Sequence, residues 1–333
     1  MSLLRSFFSS LLKDGKDPNL DLGVFGKHPG WDDHMDDFGI DTEELLSVKQ
    51  LLYVQGVGGA IDSGLWENPT QGDCSLEFGH WFYWRSGSTS VLGRIWSSRD
   101  RKGRARYPLV LCVQFNRPLS PILAALLSPK LRALEEAFKG CEDPHEVVKL
   151  AEACRSTLKT EFVAHCSRDA ADAESAASAP PSCSVQEWMR LIFAMDSQLS
   201  RFGKKVSKDL SGLTARLVNN PGECEALRLP TQPLGALEAI LYWNRFLDHW
   251  VAAEAACLTL LPDGAAWADI LVGRPSPKTL FCLKAPPSIL PLTSDIPFEF
   301  PDDFEARAKE KLGEIFSGSP EGVCTASETE SKE

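Results

Sequence analysis

Blocks of apolar and polar positions define the expected elements of this chain. Residues 22–25 (LGVF) form a short apolar run ending at Gly26 and predict a first strand. Asp41 with Glu44 forms a capping box that opens a helix carrying Leu45, Leu46, Val48, Leu51 and Leu52. Gly56, Gly58, Gly59 and Gly64 are expected to break that helix. The runs 80–85 (HWFYWR) and 90–96 (SVLGRIW), rich in aromatic and β-branched residues and separated by SGST, predict a hairpin. Residues 107–115 (YPLVLCVQF) are apolar on both faces and predict a central strand.

Helical spacing dominates 121–166, with Leu131, Leu134, Ala137 and Phe138 on one stripe and Val147, Leu150, Ala151, Cys154 and Leu158 on the next. Residues 167–183 shift to Ser, Ala, Asp and Pro and predict a linker. Ser184 and Glu187 form a capping box for an amphipathic helix with Trp188, Met189, Ile192, Phe193, Met195, Leu199 and Phe202. A long helix is expected over 234–258, and a second hairpin from 268–272 (ADILV) and 279–283 (TLFCL) around GRPSPK. A last helix carries Phe304, Ala308, Leu312 and Phe316 before an acidic tail. The expected organisation is an amphipathic N-terminal segment (1–18), a first lobe (19–166), a linker (167–184), a second lobe (185–316) and a disordered tail (317–333). Because the strands come as hairpins, the fold class is α/β (α+β): a mainly antiparallel sheet, flanked by helices on both faces, that the two lobes can share.

Composition refines this picture only a little. The 333 residues correspond to roughly two units at about 150 residues each. A formal charge of −11 opposes generic binding to nucleic acid or an anionic membrane. The apolar start is interrupted by Arg5, Ser9 and Ser10 and reads poorly as a signal peptide, and no apolar run is long enough to predict a spanning helix. The ten cysteines include no C-x-x-C and read as reduced thiols, so a cytoplasmic location is expected.

Three segments carry candidate chemistry. The glycine cluster at 55–64 lacks the Gly-Lys-Ser/Thr of a phosphate loop and reads as a turn that brings helix and sheet close. The segment 26–37 (GKHPGWDDHMDD) gathers His28, Asp32, Asp33, His34, Asp36 and Asp37, imidazoles and carboxylates of the kind that hold a divalent cation. It also reads as a capped loop or as an acidic face toward a partner. The run 94–106 (RIWSSRDRKGRAR) sets Arg94, Arg99, Arg101, Lys102, Arg104 and Arg106 against the single acid Asp100, a basic rim in an acidic protein. That rim suits an acidic or phosphorylated partner, a solvated hairpin, or pairing with the acids Asp32, Asp33, Asp36, Asp37, Asp41, Glu43 and Glu44. No G-x-S-x-G, H-E-x-x-H or cysteine–histidine signature is present.

Two of these segments together resemble a known family. GVFGKHP at 23–29 and SSRDRKGRARYPLVL at 97–111 look like the GxxGKxP strand and the SxDRxGRxxPL segment of the TagF/ImpM family of type VI secretion-associated proteins. The pattern falls on Gly23, Gly26, Lys27 and Pro29, then on Ser98, Asp100, Arg101, Gly103, Arg104, Pro108 and Leu109. Where relatives commonly continue with Gly-Asp-Phe, this chain has Gly30-Trp31-Asp32-Asp33-His34.

The resemblance implies a cytoplasmic, noncatalytic protein that restrains assembly of a bacterial secretion machine by binding other proteins, including a forkhead-associated scaffold protein. It implies no cofactor. The expected partner-binding residues are Lys27, Asp32, Asp33, Arg99, Asp100, Arg101 and Arg104, supported by Gly26, Pro29, Gly103 and Pro108. Two other functions fit the residues: a metal-dependent hydrolase built on His28, Asp32, Asp33 and His34, and a structural assembly factor tethered by its N-terminal segment.

Overall fold

Gly87, at φ 56°, turns the chain between β2 (Gly79–Ser86) and β3 (Thr89–Ser97), which pair antiparallel with Trp81 opposite Arg94. The expected first hairpin is thus present. The computed structural model describes residues 19–62, 78–105, 107–172, 224–231, 235–247, 255–273, 275 and 279–292. The remaining strands are β1 (Leu20–Gly26), β4 (Pro108–Phe115), β5 (Glu225–Pro230), β6 (Cys257–Pro262) and β7 (Trp267–Val272). All seven form one antiparallel sheet in the order β1-β4-β3-β2-β6-β7-β5, so strands from both halves of the chain share it.

The helices are α1 (Glu43–Val48), α2 (Gly59–Asp62), α3 (Pro121–Lys139), α4 (Pro144–Asp172) and α5 (Ala236–Leu247), with a π-helical stretch from Lys49 to Gly58 joining α1 to α2. They cover both faces of the sheet. On one face Leu22, Val24, Trp81, Leu92, Leu111 and Val113 pack with Leu127, Leu131, Phe138, Phe162 and Ile240 of α3, α4 and α5. On the other, Phe25, Phe82, Ile95, Cys112 and Leu260 pack with Leu45, Leu52 and Val57. Covering both faces explains why β1, β3 and β4 read as near-continuous apolar runs.

Several expectations are corrected. β4 is buried on both faces but lies second from the edge, because β1 pairs outside it. The outer edge of β1 is capped in turn by Phe38, which exchanges two 2.9 Å backbone hydrogen bonds with Val24. Thr42, not Asp41, caps α1, its Oγ1 accepting from the Leu45 amide at 3.2 Å. Gly56, Gly58 and Gly59 do not stop that helix, and Gly64 lies outside the described residues. A Cβ at Gly56 would lie 2.2 Å from Leu280 Cδ1, so the missing side chain admits Leu280 while the widened turn continues.

Residues 257 and 258, expected to end the helix from 234, instead begin strand β6. Residues 279–284 form a 3-10 turn and not a strand, so β7 pairs with β5 and β6 instead. Short apolar runs do not declare their period. Arg228 ties this turn and the residues after it to β5, its guanidinium donating to the carbonyls of Cys282, Ala285 and Leu290. The expected linker begins late, since α4 runs to Asp172. The expected segment 1–18, the rest of the linker, the helix from 184, the helix over 304–316 and the tail lie outside the described residues.

His80 gives the sheet a pH dependence. It is buried on β2, and among the described residues neither ring nitrogen has a hydrogen-bond partner. Burial pushes its pKa down from 6.5 to about 3; the Arg94 and Arg228 charges act in the same direction, against Asp263. The unfolded chain therefore takes up a proton below pH 6.5 that the folded chain refuses until about pH 3. Stability is expected to fall by about 2–3 kcal/mol between pH 6.5 and 4.5. The depressed carboxylates Asp100, Glu135 and Asp263 lose their contribution only at lower pH. Urea unfolding at pH 7, 5.5 and 4.5 checks this, and His80→Leu should remove most of the slope; equal slopes in both proteins would refute the assignment.

Candidate functional site

Gly26 ends β1 at φ 124°, and a Cβ there would lie 2.3 Å from the Pro108 carbonyl oxygen. Only glycine lets the two segments meet this closely. The Lys27 amide then donates to that carbonyl at 3.1 Å, while Met35 donates back to the Gly26 carbonyl at 2.9 Å. Pro29 occupies the second position of a turn closed by the Trp31 amide on the His28 carbonyl at 3.0 Å. The last two bonds fold the 26–38 loop on itself, and the Lys27 bond to Pro108 holds it against the 98–108 loop.

At their junction the Lys27 ammonium, 4% exposed as a residue, lies 2.8 Å from Asp100 Oδ2 and 5.8 Å from the centre of the Tyr107 ring. Asp100 is buried and fully engaged. Its carboxylate accepts from the Arg104 amide at 2.9 Å and from Arg104 Nε at 2.6 Å. Its backbone carbonyl accepts from the Gly103 amide at 2.9 Å, a turn made possible by Gly103 at φ 78°. Burial opposes charge on Asp100, but Lys27 and the two Arg104 donors outweigh it and hold the carboxyl well below the usual range.

The basic run also closes onto the acidic loop. Arg104 Nη2 donates to the Asp32 carbonyl at 2.8 Å and lies 3.2 Å from the Asp33 carboxylate. Arg101 donates from its amide to the Trp31 carbonyl at 2.8 Å and from its guanidinium to the Gly30 carbonyl, with Asp32 at 3.5 Å. Pairing with the acids of the 31–44 stretch is therefore how Arg101 and Arg104 are arranged. Asp32 and Asp33 remain exposed on the rim, and Arg99 and Lys102 project from the loop without a described hydrogen-bond or ion-pair partner.

Two expected groupings are not formed. His28 does not converge with Asp32, Asp33 and His34: its Nε2 donates to the Phe138 carbonyl at 3.0 Å and its Nδ1 accepts from the Gly30 amide at 3.0 Å. Burial pushes its pKa down, against the Phe138 carbonyl and the Glu142 charge, and its ring packs edge-on against Trp31 and Phe138. Among the described residues no three His, Cys, Asp or Glu side chains are grouped to hold a metal ion.

Arg94 does not belong to the rim either. It is fully buried on β3, with Nε 2.6 Å from Glu135 Oε2 and Nη1 3.0 Å from Asp263 Oδ1, and its guanidinium lies over the Trp81 ring. A second buried pair, Arg228 with Asp269 at 2.7 Å, joins β5 to β7. An arginine inside a strand that is apolar on both faces is the signal for such a pair, because its charge cannot be buried alone.

No family model, no curated protein and no solved structure matches the chain.

Proposed function

We propose that this protein is a noncatalytic regulatory or accessory component of a type VI secretion system that restrains assembly by binding other proteins in the cytoplasm. The observation that supports the reading is the clasp of Lys27, Asp100 and Arg104. The two segments that resemble the TagF/ImpM family, 73 positions apart at Lys27 and Asp100, meet in one buried ion-pair cluster. The clasp consumes Lys27, Asp100 and much of Arg104 internally and displays a firm loop outward.

On that loop, Arg99, Lys102 and the outer part of Arg101 form the docking edge for an acidic or phosphorylated surface, such as that of a forkhead-associated scaffold protein. Asp32 and Asp33 set its polar border. The test is quantitative mass spectrometry of proteins that co-purify with the tagged full chain from its native host at modest salt. Secretion-machine components should be enriched and fall about tenfold in Arg99→Glu/Lys102→Glu, with thermal melting unchanged because neither side chain holds the fold. Absence of those components, or indifference to the reversal, overturns the reading.

A further inference from the structure

Two arginines of the 99–104 loop are occupied from within the chain. Arg101 Nη1 lies 3.5 Å from Asp32 Oδ1, and Arg104 Nη2 lies 3.2 Å from Asp33 Oδ1, so adjacent carboxylates of one loop face two guanidiniums of the other. These side chains are at least half exposed, Asp33 by 63% and Arg104 by 50%. Exposed pairs of this kind are weak, because water solvates both partners well and salt screens them.

The guanidiniums themselves are held by bonds that do not depend on those carboxylates. Arg104 Nε donates to buried Asp100 at 2.6 Å, and its Nη2 donates to the Asp32 backbone carbonyl at 2.8 Å. Arg101 is fixed by its amide on the Trp31 carbonyl and by its Nη2 on the Gly30 carbonyl. Releasing the two carboxylates therefore leaves both cations in place, with exposed Arg99 and Lys102 on the same loop. Such a cationic pair is preorganised for an anion.

Building on the docking edge proposed above, we propose that Asp32 and Asp33 are an internal competitor for a phosphorylated side chain of a partner protein, which displaces them from Arg101 and Arg104. The contest selects phosphate. A partner's carboxylate exchanges like for like against acids already tethered at high local concentration, and gains nothing by it. A phosphate monoester carries about two negative charges and several strong acceptor oxygens, enough to engage both guanidiniums at once. An extended polyanion is disfavoured, because exposed Asp36, Asp37 and Asp41 on the same acidic segment repel a nucleic acid or an anionic membrane. The two acids thus make the basic edge answer to phosphorylation and not to acidity alone.

The test titrates the purified full chain into a short neutral peptide that carries one phosphoserine and an uncharged dye, and reads fluorescence anisotropy. Asp32→Asn/Asp33→Asn should bind this peptide about tenfold more tightly than the unaltered protein, with circular dichroism and thermal melting unchanged. Asp36→Asn/Asp41→Asn makes the same change in net charge on the same segment, at acids with no arginine partner among the described residues. It should alter affinity by less than about twofold. Adding Arg101→Gln to the first pair should abolish the gain, and the peptide with glutamate in place of phosphoserine should bind the unaltered protein about tenfold more weakly. Equal gains in the two Asn pairs, a gain that survives Arg101→Gln, equal binding of the glutamate peptide, displacement of the peptide by phosphatidylserine vesicles, or no binding by any variant each overturn the proposal. Tighter peptide binding without capture of secretion-machine components would leave this competitor standing and remove the secretion role. The reverse pattern would remove the competitor alone.

Discussion

Replacing Arg94 with Met lowers stability by about 3–5 kcal/mol, read as a fall in the urea midpoint at pH 7 with an unchanged slope. The loss comes from what remains behind. Glu135 is 1% exposed, and without Arg94 its carboxylate keeps only Lys139 at 2.8 Å and Arg132 at 3.5 Å. Burial opposes its charge, and the Arg94 and Lys139 donors are what hold its pKa down. The double variant Arg94→Met/Glu135→Met should recover most of the loss. Asp263, Arg132 and Lys139 then stay behind as partly exposed groups that water can solvate. A single variant costing under about 1 kcal/mol, the range of a surface pair, would show that the cluster is not a buried one.

Gly26→Ala is expected to cost about 3 kcal/mol or more. Two effects add: the residue must hold φ at 124°, and its new Cβ must displace the Pro108 carbonyl that it would approach to 2.3 Å. Gly103→Ala is the matched comparison. It has a positive φ of 78° but open space around its Cβ, so only backbone strain of about 1 kcal/mol applies. Thermal melting of the two variants side by side decides the matter; equal losses would mean that the contact with Pro108 is not part of the clasp.

These two positions also show what the sequence reveals of this fold. The 80–96 hairpin is legible because SGST supplies the turn and both arms are aromatic and β-branched, and 107–115 is legible because only an interior strand is apolar on both faces. Gly26 and Gly103 are legible as sharp turns. The meeting of their segments is not, because nothing local says that Gly26 will lie against Pro108 or that Lys27 will reach Asp100.

Local pattern misleads where charge is decided at long range. Arg94 stands next to a run of surface arginines and has the same chemistry, yet its partners come from α3 and from the turn after β6. His28 and His34 are neighbours of aspartates in sequence, but His28 is turned toward the end of α3 by the Phe138 carbonyl. In the second half, CLTLLP and TLFCL are equally apolar. One becomes a strand because β2 offers it an edge, and the other a turn whose Cys282 carbonyl accepts from Arg228, together with the carbonyls of Ala285 and Leu290 just beyond it.

The pairing of β2 with β6 has a consequence for biosynthesis. Arg94 and Asp263, which tie this seam, are 169 residues apart, so at 5–20 residues per second the ribosome delivers the second roughly 8–34 s after the first. Through that interval the aromatic strand HWFYWR has a neighbour on its β3 side and none on the other. A nascent chain in this state offers an open strand edge to any similar segment nearby. Its yield of native protein should therefore depend on the holding chaperones that occupy such edges until the second half of the sheet arrives.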